Sequence, residues 1–153
     1  MRFFVSLCCA AVVAGCGTDD APPAQDTTAV AAAMPAPISL AEVAGRWTVR
    51  TMAENSDSVL VTSEMTVTAD TSGWMTMIPG RPAMATRVIE VAGDSIVTEF
   101  GPFESVLRPG VQVTTRSVMR LRDGKLVGHL MARYATTGAD SVARLRLEAT
   151  RVP

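Results

Sequence analysis

From residue 46 onward, apolar and polar residues alternate with a period of two, and the alternation stops at short clusters of turn-forming residues. Such a stretch is a half-buried strand, with one face on a core and the other in water. The pattern predicts eight of them: Arg46–Ala53, Ser58–Ala69, Gly73–Ile78, Ala85–Ala92, Ser95–Val106, Val111–Arg122, Lys125–Thr136 and Ser141–Val152. Between them, Ala92-Gly93-Asp94-Ser95, Arg108-Pro109-Gly110, Asp123-Gly124 and Thr137-Gly138-Ala139-Asp140 have the chemistry of tight connections. Short connections make successive strands antiparallel neighbours. A sheet of this kind keeps two long exposed edges unless it closes. The expected fold class is therefore all-β, an antiparallel up-and-down barrel of about eight strands.

Alternation also assigns the faces. Val59, Val61, Met65 and Val67 share one side of the second run, opposite Thr62, Glu64, Thr66 and Thr68. In the sixth run Val111, Val113, Met119 and Leu121 oppose Gln112, Arg116, Arg120 and Arg122. In the last, Ala143, Leu145, Leu147 and Ala149 oppose Arg144, Arg146 and Glu148. A slip of one residue inverts every set, so the register is strongly specified. Gly101-Pro102 interrupts the fifth run, which predicts a bulge or bend there. Ahead of the first strand, Ile38–Gly45 reads ISLAEVAG; Ser39 followed by Glu42 is a capping-box signal for one short helix ending at Gly45.

The first 37 residues follow another rule. Met1-Arg2 precedes an apolar run, Phe3 to Ala14, that is too short to span a bilayer and has the layout of a secretory signal. Its end, Val13-Ala14-Gly15-Cys16, resembles the lipobox of bacterial lipoproteins. The resemblance implies a signal peptide over 1–15, cleavage before Cys16, and diacylglycerol attachment to the Cys16 sulfur. Cys8 and Cys9 then leave with the signal. Residue 17 is glycine rather than aspartate, which in such lipoproteins implies the outer membrane, facing the periplasm. Residues 16–37 form the lipidated cysteine and a tether whose four prolines and three aspartates build no packed element. As a flexible coil that tether reaches about 25 Å on average. Residues 38–153 remain as a single domain, long enough for a real core.

At Gly45-Arg46-Trp47 this domain resembles a lipocalin-like (calycin) barrel, which opens with a short helical turn and a Gly-x-Trp on the first strand. The resemblance implies that Trp47 closes one end and that an arginine of the last strand packs across it. By parity Trp47 lies on the face of Val49, and Arg151 on that of Leu145, Leu147 and Ala149. Gly45, Trp47 and Arg151 are thus the expected barrel closure. The domain departs from the family in being short, in lacking the Thr-Asp-Tyr motif, and in having no helix after the last strand. The expected inner wall, which would meet a ligand, comprises Val49, Val61, Met65, Val113, Met119, Leu130 and Leu145.

Candidate chemistry is sparse. His129 is the only histidine and falls on the outward parity of Lys125 and Arg133, with no second histidine to build a metal site. Glu99 and Glu104 flank Phe100-Gly101-Pro102-Phe103, yet two rim glutamates on a strand do not make a glycosidase pair without a defined cleft. The expectation is a protein without enzymatic activity, catalytic residues, metal or cofactor. Methionines are plentiful in the folded part: Met52, Met65, Met75, Met77, Met84, Met119 and Met131. Thioethers suit Cu(I), so Met75 and Met77 with His129 form a minor alternative as a periplasmic copper site; core filling is the ordinary use of methionine.

A net charge of −1 argues against nucleic acid as a partner. The charge is uneven, however: residues 104–151 hold nine Lys/Arg against four Asp/Glu, and residues 38–103 hold four against eight. Arg116, Arg120, Arg122, Lys125, Arg133, Arg144 and Arg146 share the outward register of three successive strands. This basic face suits anionic lipid headgroups or an acidic partner, and equally suits plain solvation. Two functions stay open. One is a lipid-anchored binding barrel for a small apolar ligand or lipid. The other is a structural or interaction lipoprotein with a filled barrel and a working outer face.

Overall fold

The structure, a computed structural model, describes residues 37–153. The expected signal segment 1–15, Cys16 and the expected tether up to residue 36 lie outside the described residues. Helix α1 (Leu40–Val43) leads into β1 (Gly45–Ala53), β2 (Val59–Val67), β3 (Met75–Met77), β4 (Met84–Ala92), β5 (Ser95–Glu104), β6 (Gln112–Arg122), β7 (Lys125–Tyr134) and β8 (Val142–Arg151). One 3₁₀ turn, Ala139–Ser141, precedes β8. Every strand begins and ends within two residues of its predicted run. Successive strands pair antiparallel, and β8 returns to β1, so the eight strands close into an up-and-down barrel. The closing seam runs from Trp47 opposite Arg151 to Ala53 opposite Leu145.

The turns behave as their residues require. Asp123 and Gly124 both take positive φ, 51° and 74°, which is the geometry of a tight hairpin with the right twist for its strands. The faces also hold: Met65, Val67, Val113, Met119, Leu145, Leu147 and Ala149 are buried, while Thr66, Gln112, Arg116 and Arg144 are exposed.

Three bulges adjust the walls. Between β1 and β2, Thr51 faces Val61 but Met52 faces Val59, which leaves Leu60 as the extra residue. Val59 therefore turns outward and is 40% exposed, against its predicted inward place. Between β4 and β5, Ile89 is extra. Between β5 and β6, Phe100 faces Thr115 and Phe103 faces Val113, so Gly101-Pro102 carries the predicted bulge. Residues three apart on a regular strand point to opposite faces. The bulge lets Phe100 and Phe103 both turn inward, with ring centroids 4.7 Å apart. Gly101 sits at φ 112°, and a Cβ there would lie 2.7 Å from the Val113 carbonyl oxygen.

One end of the barrel is sealed by α1 and by the core cluster beneath it, which includes Val43, Trp47, Trp74, Ile96 and Leu126. Ser39 makes no side-chain cap, so the capping box read from Ser39 and Glu42 does not form. A helix of four residues has little to cap; what it needs is partners for its free carbonyls. Those partners come from the strands. The Trp47 indole N–H donates to the Val43 carbonyl at 2.9 Å, and Arg151 donates to the carbonyls of Glu42, at 2.7 Å, and of Ala44. The Ile38 N–H also donates to the Gly93 carbonyl at 2.8 Å, so the described chain starts at this sealed end.

Candidate functional site

The barrel interior above the sealed end encloses a cavity of about 110 Å³. Met65, Met119 and Leu147 belong both to the core cluster and to the cavity wall, and so form its floor. The space reaches the surface at the β5–β6 loop, where Val106 and Leu107 line it and stay about 40% and 39% exposed. This loop is braced from within. The Ser105 hydroxyl accepts the N–H groups of Leu107 and Arg108, both at 3.1 Å, and Glu104 accepts the Gly110 N–H at 2.9 Å. Beside the mouth, the Arg108 guanidinium stacks 4.0 Å above the ring of Tyr134, another wall residue.

The seven side chains expected on the inner wall are gathered on this one cavity. Val49 comes from β1, Val61 and Met65 from β2, and Val113 and Met119 from β6. Leu130 of β7 and Leu145 of β8 face each other directly across their strands. Strand parity brings them together, because inward positions of a closed sheet have only one interior to share.

The expected closure residues also meet. The Arg151 guanidinium lies 4.5 Å over the Trp47 ring, a cation–π contact that also presents its donors to the helix carbonyls. Gly45 is the residue they pass. It sits at φ 139°, and a Cβ there would come within 2.6 Å of Arg151 Nη1.

A set of wall residues escaped the sequence reading. Thr76, Thr86, Thr98, Thr115 and Ser117 line β3 to β6, with Thr51 and Ser63 on β1 and β2. Their signal was present in the parity, since Thr115 and Ser117 share the face of Val113 and Met119. A search for apolar residues passes over them. None of the cavity-lining residues carries a charge.

The outer basic face divides in two. Asp94 accepts from Arg120 at 3.2 Å and from Arg122. Lys125 pairs with Glu148 at 3.3 Å, and Arg146 with Asp57 at 2.7 Å. Among the described residues Arg116, Arg133 and Arg144 make no ion pair; Arg116 and Arg144 flank Met131 from either side. Glu148 lies on β8, but the other two acidic partners come from turns, Asp94 at one end of the barrel and Asp57 at the other, so strand parity alone does not reveal them.

The Arg122 guanidinium, with help from Ser95 and Arg120, holds the Asp94 carboxyl below the usual carboxylate range. A lowered folded-state pKa stabilises the fold above the unfolded-state value and ceases to do so as pH falls through the folded one. Asp94→Asn is therefore expected to lower the urea midpoint at pH 7, with the gap from wild type narrowing below about pH 4. An equal gap at pH 7 and pH 3 contradicts this ionisation.

The remaining candidates are separated or occupied. His129 is exposed on the outside of β7, with Val118 and Arg146 as cross-strand neighbours. Met75 and Met77 lie on β3, four strands away around an eight-stranded barrel, so the Met–His copper arrangement does not assemble. Glu99 pairs with Arg87, and Glu104 serves the β5–β6 loop. Among the described residues no group of His, Cys, Asp and Glu has the makings of a metal site. Comparison with protein-family models, with curated proteins and with solved structures finds no match to this chain.

Proposed function

We propose that this chain is a lipid-anchored binding protein of the bacterial envelope, whose lipocalin-like barrel holds a small apolar ligand or lipid and catalyses no reaction. The observation that carries this reading is the cavity itself: uncharged, floored by Met65, Met119 and Leu147, and open at one mouth. An apolar cavity of about 150 Å³ accommodates a benzene-sized molecule. The roughly 110 Å³ here is smaller than that, so it takes a short alkyl segment or part of a ring, with the remainder in the mouth. The lipobox-like Val13-Ala14-Gly15-Cys16 supports attachment through Cys16, at the outer membrane and facing the periplasm. The described chain begins at the sealed end, where the Ile38 N–H donates to the Gly93 carbonyl.

Purification of the lipidated chain from membranes, organic extraction and mass spectrometry test the proposal. A small molecule recovered in stoichiometric amount is the expected result. A protein that yields none, and that leaves an uncharged apolar fluorophore unchanged in emission, sinks it. The structural reading, with the outer face at work, then takes its place. Its support is the trio Arg116, Arg133 and Arg144, which make no ion pair among the described residues and could meet an anionic lipid headgroup or an acidic partner.

A further inference from the structure

Resting on the reading of the cavity as a binding site, we infer that its ligand is an uncharged amphiphile, such as an alcohol, ester or amide, with a polar edge toward β3–β6 and a hydrocarbon edge toward β7–β8. The two walls differ in kind. Across β5 and β6, Thr98 stands directly opposite Ser117. The next positions around the same belt are Leu130, opposite Ser117, and Leu145, opposite Leu130. Of these four neighbours two carry hydroxyls and two are hydrocarbon, and Val88 follows Thr98 on its other side.

The hydroxyl side extends to Thr86 and Thr76, which satisfy each other at 2.8 Å. Thr98 and Ser117 make no side-chain hydrogen bond to any described residue, although both are buried and both line the cavity. Whatever displaces water from them must replace its hydrogen bonds. A bare hydrocarbon does not, and each hydroxyl left dry weakens binding by about tenfold. A carboxylate fails for another reason. The wall itself offers no cation; Arg108 stands outside it at the mouth, on the ring of Tyr134, so a carboxylate seated beside Thr98 and Ser117 is an unpaired charge and strongly disfavoured. A neutral donor or acceptor on an apolar body is what remains.

Three matched rings test this on the full chain by chemical-shift titration: cyclohexanol, cyclohexane, and cyclohexanecarboxylate at pH 8. Cyclohexanol is expected to bind about tenfold or more tightly than cyclohexane, with the carboxylate weakest. The double change Thr98→Val and Ser117→Ala is expected to weaken cyclohexanol by about the same factor and to leave cyclohexane as tight or tighter. Cyclohexane equal to cyclohexanol in the unaltered protein, or the carboxylate tightest, overturns the inference while the binding reading stands. If none of the three binds, the inference and the binding reading fall together. The wild-type ranking decides even where the double variant folds poorly.

Discussion

Trp47→Ala is expected to lower the free energy of unfolding by about 4 kcal/mol. Three losses combine. Trp47 is fully buried at the sealed end, so alanine leaves a large void among Val43, Trp74, Ile96 and Leu126. The Val43 carbonyl loses its indole donor, and a buried acceptor left unpaired costs about 1–3 kcal/mol by itself. The Arg151 guanidinium loses the ring it lies on at 4.5 Å, and with it the platform that aims its donors at Glu42 and Ala44. Helix α1 has only four residues, too few to hold without those bonds. Trp47→Phe keeps a ring but no donor, and should lose about 1–3 kcal/mol. Urea unfolding measures both, read from the midpoint at constant slope. A loss below about 1 kcal/mol for Trp47→Ala would show that α1 does not seal the barrel.

Gly128→Ala should be at least as severe, although it adds a single methyl group. Gly128 faces inward on β7, and a Cβ there would lie 1.9 Å from the Val118 carbonyl oxygen, 2.9 Å from its carbon and 3.0 Å from Met119 Cα. All three atoms are β6 backbone, and no rotamer change relieves the clash. Relief requires moving β6 from β7, whose pairing runs unbroken from Val113–Tyr134 to Arg122–Lys125. Overpacking a core usually costs about 1–3 kcal/mol; a clash with backbone in a closed barrel should exceed about 4 kcal/mol. Loss of soluble protein, or a collapsed urea midpoint, is the expected outcome. Gly124→Ala is the control. Nothing lies within 4 Å of its Cβ, so only the left-handed φ is strained, at about 1–2 kcal/mol. Wild-type stability in Gly128→Ala would contradict the close approach of β6 and β7, and with it the shape of the wall carrying Leu130.

The two variants differ in how far the sequence foretells them. Trp47 and Arg151 stand out through Gly-x-Trp and strand parity, and their meeting follows once β8 closes on β1. Gly128 looks like any small residue in an alternating strand, because only the neighbouring backbone makes it indispensable. The bulges show the same contrast. Gly101-Pro102 announces its own, since proline lacks a donor and glycine permits φ 112°. The extra residues Leu60 and Ile89 are ordinary strand formers, and their bulges displace Val59 without local warning.

Charge and chemistry divide likewise. The outward set of Arg116 to Arg146 was legible from period two. Which members are neutralised was not, because Asp94 and Asp57 reach them from turns remote in sequence. Met75, Met77 and His129 make a plausible donor set on paper and lie on opposite sides of the barrel in fact.

The sequence by itself determined the strands, their order, most of their faces and the apolar part of the wall. Burial with period two and turn chemistry act over a few residues, and a hairpin-linked sheet has one economical way to hide its edges. Only the tertiary structure decided the cavity, its floor and its hydroxyl side. Volume and hydrogen-bond supply depend on which side chains from distant strands arrive at the same height, and that height is set by register, bulges and the contact of β6 with Gly128.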